Sequence, residues 1–155
     1  MPAPEIREDD PWREDVRRLV ARHLAFADAE SPPEDVHALT VDGLADPPVT
    51  FYSARVAGRL VAVGALRHLD AEHAEIKSMH TVAEARRQGV GRAMLAHLVA
   101  VARSRGYRRL SLETGTTEGF APARSLYRGA GFTPCEPFAG YRSSPYSVCM
   151  TMALD

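Results

Sequence analysis

The run Arg86-Arg87-Gln88-Gly89-Val90-Gly91 sets two glycines among cations at the start of a helical pattern, a composition suited to holding an anion. Glycine lets backbone approach a ligand closely, and the free N–H groups and positive dipole end of a helix N-terminus favour a diphosphate. Taken alone, the glycine pair also describes a tight strand-to-helix turn. No Gly-Lys-Ser/Thr follows it and the full G-x-G-x-x-G pattern is missing, so neither a P-loop nor a dinucleotide-binding turn fits. The six histidines show no HExxH or Cys/His spacing, so no metal site is expected. Cys135 and Cys149 lie in no nucleophile signature and read as reduced thiols.

The elements that must position this loop can be read from periodicity. Residues 11–29 place Trp12, Val16, Leu19, Val20 and Leu24 on one helical stripe after a possible Asp10 cap. Two proline pairs then interrupt regular structure across residues 30–48, with one or two helical turns expected over 33–39, as an irregular cover for a substrate site. Val49–Arg55 and Arg59–Leu66 read as a hairpin around Val56-Ala57-Gly58, and Ala74–Val82 as a third strand. Val90, Met94, Leu95, Leu98, Val101 and Ala102 trace a helix over 90–105 that Gly106 stops. A strand over 107–114 follows directly, which implies a parallel crossover. A short helix over 122–130 ends at Gly131, and the tail reads as two strands around Arg142-Ser143-Ser144-Pro145.

Composition narrows the class. A chain of 155 residues, 45% hydrophobic and 25% charged, suits one soluble domain spanning 1–155 with its own core. A net charge of −1 gives no support for nucleic acid as a partner. The charged N-terminal residues form no apolar leader and no segment reaches a membrane span, so a cytoplasmic protein that does not engage membranes is expected.

The order of strand EIKSM, R-x-x-G-x-G, long helix, strand LETG, short helix FAPARSLY and Gly131-Phe132 resembles the GNAT superfamily of N-acetyltransferases, with the strongest motifs between residues 74 and 132. Together with the tail PFAGYRSSPYSVCM it is similar to a bacterial subgroup of that family. The resemblance implies a mixed α/β fold: a twisted sheet, antiparallel at its start, splayed between the fourth and fifth strands, with helices on both faces. Acetyl-CoA is the implied co-substrate, without metal. Its pyrophosphate would lie on the amides of Gln88, Gly89, Val90, Gly91 and Arg92 with Arg87 nearby. Met79 would offer a backbone N–H to the thioester oxygen, and His80, Thr81 and Val82 would face the pantetheine arm.

By the same resemblance Tyr127 in A-x-x-L-Y is the acid for the departing thiolate. Its other reading is a core tyrosine on the stripe with Leu126. An acceptor amine is mostly protonated at pH 7, and Glu75, Glu113, His80 or a water chain are the candidates for its base. Phe120 stands where many relatives carry an asparagine, which removes a pantetheine contact. Tyr141, Arg142, Phe26, Ser31 and His23 are candidates for the acceptor pocket, Arg142 for a substrate carboxylate. The expected activity is acetyl transfer to a primary amine of a small molecule, amino-acid-like if Arg142 serves it. The alternatives are protein acetylation and a non-catalytic acetyl-CoA sensor. The resemblance makes a homodimer a possible assembly.

Overall fold

The computed structural model describes residues 2–155. Seven strands form one sheet in the order β1-β2-β3-β4-β5-β7-β6: Glu5–Glu8, Val49–Val56, Arg59–Asp70, His73–Thr81, Arg109–Gly115, then Ser147–Ala153 and Thr133–Cys135 for β7 and β6. Four helices accompany it: α1 (Glu14–Glu30), α2 (Val41–Leu44), α3 (Val90–Ser104) and α4 (Ala121–Ala130). Every pairing is antiparallel except β4 with β5. The exception follows from connectivity, because α3 carries the chain from the end of β4 back to the start of β5.

Most of the stripe expected on α3 is the core face: Val90, Met94, Leu95, Leu98 and Ala102 are buried against β3 and β4, with Val99 buried in place of the expected Val101, which is only partly covered. The first helix starts later than its pattern suggests. Trp12 lies outside it and is 49% exposed, while Val16, Leu19, Val20 and Ala27 are buried. The Arg55 guanidinium donates to Asp15 at 2.7 Å and ties the start of α1 to β2. At the other end, Glu30 Oε1 accepts from the Thr117 hydroxyl at 2.6 Å and the Gly119 N–H at 3.1 Å, fixing α1 to the loop that launches α4. The tail does supply two strands, but residues 136–146 form a long connection between them. The free thiols Cys135 and Cys149 face each other across β6 and β7.

β4 and β5 are paired at only three positions, His73–Arg109, Ala74–Leu110 and Glu75–Ser111. Beyond Glu75 the strands part. On the other side of β4 the register with β3 slips between Val63–His80 and Ala65–Lys77, so Ser78 and Met79 together oppose Gly64. Ser78 sits at φ +57, the left-handed conformation of a bulge residue. The extra residue bends the strand and shifts its alternation, so Lys77 and His80 share a face although they are three apart.

Gly64 makes room for this bulge: a Cβ there would meet Met94 Cγ at 3.0 Å and Met79 Sδ at 3.1 Å. Gly64→Val, with two further methyl groups, is expected to destabilise the protein by about 1–3 kcal/mol in urea unfolding. An unchanged midpoint would contradict tight packing behind the bulge.

Candidate active site

The splay opens a cleft of ≈ 730 Å³ lined by β4, β5, the C-terminal half of α1, residues 35–38, the N-terminus of α3 and one face of α4. At one end lies the loop before α3. Arg87 (φ +63) and Gly89 (φ +83) are both left-handed, the kind of backbone from which anion-binding concavities are built. The first intrahelical bond runs from Ala93 N–H to the Gly89 carbonyl at 3.0 Å, leaving the N–H groups of Val90, Gly91 and Arg92 to be satisfied from outside the helix. No acidic side chain occupies this first turn, and Arg86, Arg87 and Arg92 border the cleft here. The end is built for an anion.

The opposite end is acidic. Glu75, 1% exposed, accepts a 2.5 Å hydrogen bond from the Tyr141 hydroxyl. Buried Lys77 donates to that hydroxyl at 2.7 Å and to the His37 carbonyl at 3.1 Å, and lies 3.5 Å from Glu75 Oε2. Across the splay, Glu113 Oε2 pairs with His37 Nδ1 at 3.0 Å. His37 thus fastens the cover segment to both strands, its carbonyl to β4 and its ring to β5. Burial raises the pKa of Glu113 despite the His37 contact, and burial together with the Glu75 charge keeps the Tyr141 phenol protonated.

Two further features flank the middle of the cleft. His23 of α1 and His80 of β4 meet Nδ1 to Nδ1 at 3.0 Å, so one ring donates and the other accepts. Phe26 packs edge-on against both His80 and Phe120. Tyr127 of α4 is 6% exposed and lines the cleft. Among the described residues its hydroxyl has no hydrogen-bond partner, and burial holds its pKa well above the ordinary phenol value.

The structure brings Glu75, Glu113, Tyr127, Met79, His80, Thr81, Arg87, Gly89, Val90, Gly91, Arg92, Phe26, Ser31 and His23 onto the cleft wall. Val82 is buried behind it, and the Gln88 side chain turns back to the Glu84 carbonyl. Tyr141 lies behind the acidic wall and acts through its hydroxyl. Arg142 requires a correction: it is exposed and off the cleft, because the 136–146 connection turns Phe138 and Tyr141 inwards and leaves Arg142 facing out. Sequence reading missed His37, whose partners lie 40 and 76 residues away. It also missed Ser78, whose buried Oγ has no partner, and Tyr146 at the cleft mouth. The proline-bounded segment and the EIKSM motif were the available signals.

A parallel splay, a bulged β4 and an anion-ready helix end agree with a match of residues 13–132 to the acetyltransferase (GNAT) family. This chain is a GNAT acetyltransferase. The acetyltransferase is 48% identical over 149 residues to the uncharacterised N-acetyltransferase YsnE of Bacillus subtilis (strain 168), covering 96% of this chain and 99% of the relative. It is 33% identical to an IAA acetyltransferase of Azospirillum brasilense, over 99% of this chain and 100% of that one. A GNAT family acetyltransferase from Elizabethkingia anophelis, solved with acetyl-CoA bound, shares the fold at a TM-score of 0.73 and 18% identity, covering 99% and 100% of the two chains.

Burial lowers the pKa of His23 and of His80 to about 4. The unfolded chain protonates these groups near 6.5, so between that pH and about 4 it binds protons that the native acetyltransferase does not. Stability should fall as pH falls through this window. In the double variant His23→Leu/His80→Leu the dependence of unfolding free energy on pH should weaken by about two protons. An unchanged slope would mean that the pair is not held neutral.

Proposed function

We propose that the protein binds acetyl-CoA in the β4–β5 cleft and transfers the acetyl group directly to a primary amine of a small molecule. The observation that carries this reading is the arrangement of the splay: an anion end at α3, Tyr127 on one flank and a carboxylate cluster on the other. The acetyl-CoA in the Elizabethkingia structure supports the choice of co-substrate.

The residues fit the cofactor. At Gly89 the φ of +83 suits glycine and no atom lies within 4 Å of a Cβ built there, so the cradle is open where a diphosphate must approach. The amides of Gln88, Gly89, Val90, Gly91 and Arg92 would hold it with Arg87 alongside, while Met79, His80 and Thr81 would flank the pantetheine arm and Val82 would support it from behind. Bound there, acetyl-CoA supplies a thioester whose carbonyl carbon accepts the amine.

The bulge releases backbone groups from the β3 ladder, and the Met79 N–H is the donor for the thioester oxygen. The amine nitrogen forms the C–N bond as the C–S bond breaks. Tyr127, kept protonated by burial, donates its hydroxyl proton to the departing thiolate and is reprotonated from solvent. The amine proton passes to one of the bases on the cleft wall, Glu113, Glu75 or His80. The cover pinned at His37 favours a small acceptor over a peptide, which would need an open groove.

Tyr127→Phe is expected to lower kcat by about a hundredfold or more while acetyl-CoA affinity stays within a few-fold. Gly89→Asp should abolish acetyl-CoA binding in calorimetry through strain and like-charge repulsion. Full turnover in the first variant, or normal affinity in the second, would remove the assigned role.

A further inference from the structure

We infer that the acceptor binds as a cationic amine on an apolar body and carries no carboxylate of its own, with Glu113 as the seat of its ammonium group. This rests on the acetyl-transfer reading above and narrows it to a substrate class.

The first support is the balance of charge. The three arginines that border the cleft, Arg86, Arg87 and Arg92, all belong to the loop and first turn of α3, where the diphosphate lies in that reading. The remaining charged side chains on the wall are Asp35, Glu75 and Glu113 against the single cation Lys77. Lys77 has three N–H donors, and three acceptors surround it: the Tyr141 hydroxyl, the His37 carbonyl and Glu75. Two of its donors are used within the wall and its charge is already balanced by Glu75, which leaves little pull on a substrate carboxylate. Arg142, exposed and away from the cleft, supplies no donor for one.

The second support is what the acidic side leaves open. The Glu75 oxygen that meets Lys77 also accepts from Tyr141, so this carboxylate is neutralised within the wall. Glu113, with 12% of its side chain exposed, has the neighbouring His37 ring as its hydrogen-bond partner and no arginine or lysine in contact. Burial alone disfavours its charged form, so a cation beside it is favoured by Coulomb attraction in a medium of low polarity. Ser78 lines the same cleft, is nine-tenths buried, and its Oγ has no partner.

The third support is the rest of the wall. Phe26 and Phe120 pack edge-to-face with centroids 4.9 Å apart, and Tyr146 stands 43% exposed at the mouth. These surfaces suit an apolar or aromatic body behind the amine. A carboxylate on such a body would be carried beside Glu113, a repulsive contact that discriminates against amino acids.

The test compares amines with their carboxylated counterparts on the wild-type enzyme: phenethylamine with phenylalanine, tyramine with tyrosine, tryptamine with tryptophan, read as CoA release. Each amine should exceed its amino acid in kcat/KM by about tenfold or more. Glu113→Gln should raise the KM for the amine about tenfold and leave the acetyl-CoA Kd, measured by calorimetry, unchanged. Equal or better turnover of the amino acids would overturn this inference and leave acetyl transfer intact. Preference for IAA, the compound in the Azospirillum relative's name, over every amine would do the same. Bound acetyl-CoA with no turnover of any pair would overturn both the small-amine reading and the inference.

Discussion

The structure depends on a parallel pairing that stops after three residue pairs. Parting β4 from β5 leaves backbone groups of two central strands without a ladder, a cost that the protein meets by bending rather than by covering. The Ser78 bulge turns β4 aside, Gly64 gives the bulge room against Met94, and β5 keeps a full antiparallel partner in β7. The gap is then held open from both sides: α3 packs one face through its apolar stripe, and α1 is tied across the other by Arg55 and Glu30.

The same geometry separates charge. Arginines and free helix amides gather where β4 ends and α3 begins, whereas carboxylates gather where β4 and β5 are still close. Between them the His23–His80 pair is neutral and Tyr127 is protonated, so the middle of the cleft carries no fixed charge. A transfer that moves a proton from an amine on one side to a thiolate on the other runs along this gradient. His37 matters because it closes the acidic end by fastening the cover segment to both β4 and β5.

The sequence made the frame legible where periodicity or glycine carried the information. The stripe of α3, the hairpin around Gly58 and the stop at Gly131 correspond to elements in the structure. β1 was not legible, because Glu5-Ile6-Arg7-Glu8 is short, charged and lies on a sheet edge, and α2 spans only four residues. The bulge was hidden since nothing in Lys77-Ser78-Met79-His80 marks a left-handed serine. Its consequence, Lys77 and His80 on one face, breaks the alternation that sequence reading relies on. His37 and Arg142 show the limit for loops: contacts made at long sequence separation have no local period, so one inward residue went unnoticed and one outward residue was expected in the pocket.

The most direct test of the central claim is a crystal structure of the protein with CoA bound. The account predicts the diphosphate on the amides from Gly89 to Arg92, the pantetheine between β4 and β5, and the sulfur within hydrogen-bond reach of the Tyr127 hydroxyl. A diphosphate bound elsewhere, or a sulfur walled off from Tyr127, would contradict it.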